Sequence, residues 1–210
     1  MLDRAKAVLF DLDGTLLDTF DFIYGAFEFA FKEHGLQPLP RERIRHLVGG
    51  PLEEVYRAMA PKFDAVLLAE SHRKFQSDNL NLVKLFPDTL EVLDTLKQRD
   101  QKVAAITTRS KITSIRSLEI TGIAKYFDIV ISAEDVQNHK PNPEPLFKAL
   151  EFLRFESKDA VMIGDTGADI MAGKNAGTKT VAALYGFGGA QLVEFNPDYS
   201  IKVLGELLML

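Results

Sequence analysis

The sequence contains no cysteine. Disulfides, thiolate metal ligands and cysteine nucleophiles are therefore excluded, and nothing argues for an oxidising compartment. A basic surplus is missing as well. Twenty-five Lys and Arg stand against 30 Asp and Glu, a net charge of −5, and no segment gathers the basic residues into a patch that tracks a phosphate backbone. Nucleic acid is thus not an expected partner. No apolar run approaches the ~18 residues that span a bilayer. The start of the chain, with Asp3, Arg4 and Lys6 ahead of a short apolar strand, does not read as a signal peptide or an anchor. A cytoplasmic location without a membrane partner is the expectation. A Gly-x-Ser-x-Gly elbow, which would present a serine nucleophile, is also absent.

What is present is the composition of an ordinary globular protein, 46% hydrophobic and 26% charged over 210 residues, a length between one and two typical domains. Five short apolar runs have the β-branched character and length of buried parallel strands. They are Ala7 to Phe10, Val103 to Thr107, Ile129 to Ser132, Val161 to Ile163 and Thr180 to Ala183. Segments of helical spacing precede the later ones, such as Leu90, Val92, Leu93 and Leu96, or Leu146, Phe147, Leu150 and Leu153. Strands alternating with helices predict right-handed crossovers and a doubly wound α/β sheet.

One gap breaks the rhythm, because far more chain separates the first two strands than one crossover helix needs. From about Leu17 to Phe86 the pattern reads as helices only. Leu17, Phe20, Ile23, Tyr24, Phe27, Ala30 and Phe31 form one stripe, Ile44, Leu47 and Val48 begin another, and Pro38, Pro40, Gly49-Gly50-Pro51 and Pro61 separate the helices. The predicted organisation is an α/β core of residues 1–16 and 87–210, interrupted by an all-helical cap of residues 17–86. Phe22 and Phe29, seven residues apart, sit opposite the main stripe of the first cap helix. Packing within the cap or against the core is the favoured reading over a cleft or a dimer contact.

Polar groups collect at the carboxyl ends of the predicted strands, where open α/β sheets bind ligands. The first strand runs into Asp11-Leu12-Asp13-Gly14-Thr15 and the second ends in Thr107-Thr108. His139-Lys140-Pro141 follows the third, and Gly164-Asp165-Thr166-Gly167-Ala168-Asp169 the fourth. Each signal alone is an ordinary turn, strand end or helix cap. As an ordered set they are specific. The chain resembles the haloacid dehalogenase-like hydrolase superfamily, whose four motifs correspond to Asp11 to Thr15, Thr107, Lys140, and Gly164-Asp165 with Asp169. Lys140-Pro141-Asn142-Pro143-Glu144-Pro145 and Ala172 to Thr180 are similar to its phosphoglycolate phosphatase and bacterial pyrophosphatase branch. The resemblance implies a five-stranded sheet of order 5-4-1-2-3, with Asp11 and Asp165 on neighbouring strands.

Three carboxylates around one cleft repel one another unless a cation is present, and hard oxygen donors suit Mg²⁺. By resemblance Asp11 and Asp165 ligate it through side chains and Asp13 through its backbone carbonyl, with Asp169 acting further out or through water. Without Cys or a serine elbow, a carboxylate is the best nucleophile on offer, and Asp11 attacks phosphorus to give an aspartyl-phosphate. Asp13 serves as acid and then base. Thr107, Thr108, Lys140 and the amides of Leu12 to Gly14 hold the phosphoryl group. An acid two residues after the nucleophile marks the phosphotransferring members and disfavours dehalogenation.

The expected function is Mg²⁺-dependent hydrolysis of a small phosphorylated metabolite, a phosphomonoester such as phosphoglycolate. Alternatives are inorganic pyrophosphate, a β-phosphoglucomutase-like phosphomutase, or a regulatory module that has lost turnover. Specificity falls to the cap and its surroundings. The candidates are Gly49, Gly50, Arg45 (with Arg41 one turn before it) and Arg109. The sequence assigns no role to His46 or His72. The expected quaternary state is a monomer or a homodimer.

Overall fold

The computed structural model describes residues 2–45 and 48–210. His46, and Leu47 in the second predicted cap stripe, lie outside the described residues. Strand β1 (Ala7–Phe10) is centred in a parallel sheet between β4 (Lys102–Ile106) and β6 (Ala160–Gly164). Further out lie β5 (Ile129–Ile131) beside β4, and β7 (Lys179–Ala183) beside β6. Every β1 side chain is buried, and they alternate between two cores. Val8 and Phe10 join one with Val103 and Ala105; Ala7 and Leu9 join the other with Ala104 and Ile106. A strand buried on both faces must be apolar throughout, which is why these runs show no polar alternation. Helix α7 (Glu144–Leu153) and helix α8 (Gly167–Ala176) cover the second face through Leu146, Leu150 and Ala172. Helix α5 (Thr89–Gln98) and helix α6 (Lys111–Ile120) cover the first through Val92, Leu96 and Leu118.

Two expectations need correction. The sheet has six strands in the order β5-β4-β1-β6-β7-β8, not five in the order 5-4-1-2-3. The added edge strand β8 (Tyr199–Ile201) is three residues long and two of its side chains are exposed. It therefore lacks the apolar run that marks a buried strand. The inserted segment is also not all-helical. Its two ends pair as short antiparallel strands, β2 (Leu17–Asp18) with β3 (Lys84–Leu85), which bring entry and exit together. Two-residue strands carry no periodicity to read.

Between β2 and β3 the described residues form four α-helices, α1 (Phe20–Glu33), α2 (Arg41–Arg45), α3 (Leu52–Met59) and α4 (Ala65–Asp78), and a short 3-10 turn at Leu80–Leu82. The predicted stripe on α1 is the buried face. α1 and α4 approach closely at Gly25, where a Cβ would lie 2.7 Å from the Phe75 ring. Phe29 packs on that same ring at 5.6 Å between centroids. Phe22, fully buried, lies under the Arg109 guanidinium of the core at 4.9 Å. Both phenylalanines thus take the packing role.

Candidate active site

The parallel sheet ends its two central strands side by side, and that places Asp11 next to Asp165. The Asp11 amide donates to Ile163 O at 2.9 Å, continuing the β1–β6 ladder one step into the loop. Thr166 then caps α8. The Asp169 carboxylate accepts from the Thr166 amide and hydroxyl while that hydroxyl accepts from the Asp169 amide, a capping box that fixes Asp169 three residues into the helix with Oδ2 on Thr166. Oδ1 of Asp169 is left for Lys140, whose ammonium donates to it at 2.5 Å, to Asp11 Oδ1 at 2.6 Å and to Ile106 O at 2.9 Å. Asp165 is held by the Thr15 hydroxyl on Oδ1 (3.2 Å) and by the Phe187 amide on Oδ2 (2.6 Å). Oδ2 of Asp11 has no partner among the described residues.

Carboxylate oxygens of Asp11, Asp165 and Asp169 lie within 4.8 Å of one another, all buried. The backbone leaves no spare room there. A Cβ on Gly14, at φ +85°, would stand 2.1 Å from Asp165 Oδ2, and one on Gly186 would stand 2.4 Å from the same oxygen. Burial outweighs the attraction of Lys140 and pushes the Asp11 carboxyl up to about 7, with Asp169 and Asp13 adding to the rise. Burial, followed by the charges of Asp11 and Asp169, raises Asp165 well above the usual carboxylate range. Burial works against the Lys140 ammonium, but Asp11 and Asp169 outweigh it and hold its pKa above the ordinary lysine value. One lysine does not neutralise three buried carboxylates. A cluster of oxygen donors with surplus negative charge fits a hard divalent cation such as Mg²⁺.

Asp13 stands apart from this cluster. Its Oδ1 accepts from Arg109 Nη1 at 3.2 Å, while Arg109 Nη2 donates to Thr113 O and Ser117 Oγ. The arginine expected near the cleft is therefore buried and clamps the second motif aspartate. Thr107 Oγ1 accepts from the Arg109 amide at 3.2 Å. Thr108 is half-buried and faces a cavity. The amides of Leu12 and Asp13 donate to none of the described residues, whereas Gly14 N donates to Leu17 O at 2.8 Å. The expectation that Gly14 offers a phosphoryl-binding amide is thereby corrected: that donor is consumed by the turn that returns the chain to β2.

The cavity, of about 580 Å³, runs from Asp13 and Arg109 between the core and the helical insert. Gly49 and Gly50 line it, and Gly49, at φ +105°, stands against the Thr166 side chain. Arg45 is not free to meet a ligand, since it donates to the backbone carbonyls of Phe187 and Gly186. Arg41 pairs with Asp21 at the surface. The loop that Arg45 grips, residues 185–188, escapes the sequence reading. Tyr185 donates to Thr15 O at 2.8 Å, Phe187 N holds Asp165, and Gly188 N donates to Asp165 O. Its only signal is a glycine-rich Tyr-Gly-Phe-Gly-Gly run after the last buried strand, placed at the same sheet edge as the other loops.

Residues 8–183 match the model of the haloacid dehalogenase-like hydrolase family. The chain belongs to that family. Curated relatives include the pyrophosphatase PpaX of Bacillus velezensis, 36% identical over 208 residues covering 98% of this chain and 95% of the relative. The PpaX of Halalkalibacterium halodurans is 33% identical over 204 residues, covering 97% and 95%. Among solved structures, a haloacid dehalogenase-like family protein of Streptococcus pneumoniae superposes with a TM-score of 0.90 at 26% identity, covering 100% of this chain and 99% of the other. A predicted phosphoglycolate phosphatase of Haemophilus somnus gives 0.91 at 21% identity, covering 98% and 97%, a likeness of fold. Among the described residues no helix is long and apolar enough to cross a membrane.

Proposed function

We propose that the protein is a Mg²⁺-dependent phosphatase that hydrolyses a small phosphate ester through an aspartyl-phosphate on Asp11, with residues 17–86 acting as the cap over its site. The observation that carries this reading is the single buried lysine shared by Asp11 and Asp169 beside Asp165. Asp11 and Asp165 would hold Mg²⁺ through their side chains and Asp13 through its backbone carbonyl, with Asp169, whose oxygens meet Lys140 and Thr166, further out, and when bound the ion supplies the positive charge that lets an anionic nucleophile approach an anionic substrate.

The chain's own groups divide the remaining work. Lys140 occupies Asp11 Oδ1 and so leaves Oδ2 as the attacking oxygen. As the Oδ2–P bond forms and the bond from phosphorus to the leaving oxygen breaks, Asp13 gives its proton to that oxygen. Asp13 then takes a proton from water, whose oxygen attacks phosphorus and releases Asp11. Arg109 fixes the Asp13 carboxylate for both steps. Thr107 and the unengaged amides of Leu12 and Asp13 bind the phosphoryl oxygens, as turn amides do at anion sites.

A second reading, inorganic pyrophosphate as substrate, is favoured by the PpaX relatives. A cavity of about 580 Å³ favours the ester, because it exceeds the room that a phosphate leaving group fills. Hydrolysis of p-nitrophenyl phosphate is the test. Turnover should require Mg²⁺, stop with EDTA and be lost in Asp11→Asn. Activity that survives Asp11→Asn, or no activity with Mg²⁺, overturns the mechanism. The second outcome restores the idea of a module without turnover. Phosphoglycolate and pyrophosphate assayed side by side decide between the two substrate readings.

A further inference from the structure

Arg45 of the insert and Asp165 of the core hold opposite ends of the same two peptide groups. Arg45, at the end of α2, donates through Nη2 to Gly186 O at 2.7 Å and through Nε to Phe187 O. The amides in those two peptide planes are Phe187 N and Gly188 N. The first donates to Asp165 Oδ2 at 2.6 Å and the second to Asp165 O at 2.9 Å. A peptide group is planar, so fixing its oxygen fixes the direction in which its N–H points. A hydrogen bond at the oxygen also polarises that N–H, and a charged donor does so more strongly than a neutral one.

The loop depends on such outside holds. Glycine at 186, 188 and 189 gives its backbone more freedom than other residues would. Yet it lies so close to Asp165 that a Cβ on Gly186 would stand 2.4 Å from Oδ2, and one on Gly188 would stand 2.6 Å from the backbone oxygen. A small shift of the loop is therefore a shift at the carboxylate. The insert also braces the arginine, since the Phe20 ring of α1 lies 6.0 Å from Arg45 Cζ and 4.4 Å from the Phe187 ring, measured to the centroids. The planar fork of arginine presents two nitrogens to neighbouring carbonyls at once, whereas lysine offers a single point charge.

We propose that Arg45 is a positioning residue for Asp165, acting through the peptide groups 186–187 and 187–188, and that the insert thereby sets the affinity of the carboxylate cluster for Mg²⁺. The role rests on the Mg²⁺ site of the phosphatase reading above and adds to it a control from outside the α/β core. Groups that orient a metal-binding carboxylate typically contribute about 10–100-fold to metal affinity. The sign separates positioning from plain electrostatics. Taking a positive charge away from the neighbourhood of a cation site tightens cation binding, whereas loss of positioning weakens it.

Calorimetric Mg²⁺ titrations compare the unaltered protein with Arg45→Met, Arg45→Lys and Arg41→Met, the last removing the same charge from an exposed position on the same helix. Arg45→Met should bind Mg²⁺ about tenfold more weakly, Arg45→Lys should recover part of that loss, and Arg41→Met should stay within about twofold of the parent. In EDTA the Phe187 amide resonance should move upfield and its hydrogen should exchange faster in Arg45→Met, because its bond to Asp165 weakens, while the amides of β1 stay in place. At saturating Mg²⁺ the KM for p-nitrophenyl phosphate should not change. Unchanged or tighter Mg²⁺ binding by Arg45→Met, or a Phe187 amide that does not respond, overturns the role. A raised KM with Mg²⁺ affinity kept places Arg45 on the substrate and overturns it as well. If Arg45→Met does not fold, Arg45→Lys decides: parental Mg²⁺ affinity with an unmoved Phe187 amide overturns the role, and weaker binding with a moved amide supports it. An unaltered protein that binds no Mg²⁺ overturns the metal-dependent reading itself, and the Phe187 amide in EDTA still decides whether Arg45 positions Asp165.

Discussion

Asp11→Asn should stabilise the metal-free protein at pH 8 and less than half as much at pH 5. Burial lifts the Asp11 carboxyl from 3.8 to about 7 in the folded chain. Between those values the folded state keeps a proton that the unfolded chain has released, so stability falls as pH rises through the window and the full penalty is present above about 7. At about 1.4 kcal/mol per unit the penalty reaches roughly 4 kcal/mol as an upper bound. Asparagine has the shape of the protonated acid and does not titrate, so it escapes the loss. Lys140 then loses the charge of one of its three acceptors. The value of about 7 already contains the attraction of Lys140, so we expect a net gain of about 2–4 kcal/mol at pH 8. At pH 5 the folded parent still carries the proton but the unfolded chain has mostly released it, so the same bound is about 1.6 kcal/mol and the gain should be less than half of that at pH 8. Urea unfolding in EDTA, followed by far-ultraviolet circular dichroism at both pH values, measures this. Mg²⁺ added at pH 8 should raise the parent's midpoint far more than the variant's, since a ligand stabilises only the state it binds. A variant less stable than the parent at pH 8, or an equal gain at both pH values, refutes the charge argument.

Lys140→Met removes the only cation that contacts the carboxylate cluster among the described residues, and should cost about 3–5 kcal/mol in metal-free protein at pH 8, with a smaller loss at pH 5, in the same urea titrations. Asp13→Asn should lower turnover by about 10²–10⁴-fold while calorimetric Mg²⁺ affinity stays within about threefold. A collapse of affinity would place the Asp13 side chain on the metal. Gly186→Ala puts a Cβ 2.4 Å from both Asp165 Oδ2 and Gly14 O, and Mg²⁺ affinity should fall by about tenfold or more while far-ultraviolet dichroism is kept.

The residues that the sequence marks best are those whose role is local. Asp11 and Asp165 follow closely on apolar runs, so a strand pattern locates them, and the helical stripe on α1 is legible because six apolar positions repeat on one face, Leu17 before them belonging to β2. Roles that come from a distant partner are not marked. Arg109 is singled out beside the cleft as a specificity candidate, yet nothing in the sequence shows that it reaches 96 positions back to Asp13. Arg45 reads as a solvated helix residue, yet it spans 141 and 142 positions to reach two carbonyls. β8 and the β2–β3 pair escape for another reason, because strands of two or three residues are defined by the neighbour they bond to and not by their own composition.

The loop at 185–188 joins the chemistry to the insert. Phe187 gives its amide to Asp165, its carbonyl to Arg45 of α2 and its ring to Phe20 of α1, at 4.4 Å between centroids. One residue therefore orients the Asp165 carboxylate and anchors two helices of the insert. The Arg109 guanidinium makes the matching link on the other side, with Asp13 on one nitrogen and Phe22 of α1 beneath its plane. Asp165 and Asp13 are thus both held by groups that also touch α1. A rigid-body shift of the insert cannot leave Asp165 and Asp13 undisturbed unless both aromatic contacts break. Placement of the insert over the cavity and alignment of the two carboxylates are consequently one structural event, in which filling the space beneath the insert also sets Asp13 and Asp165.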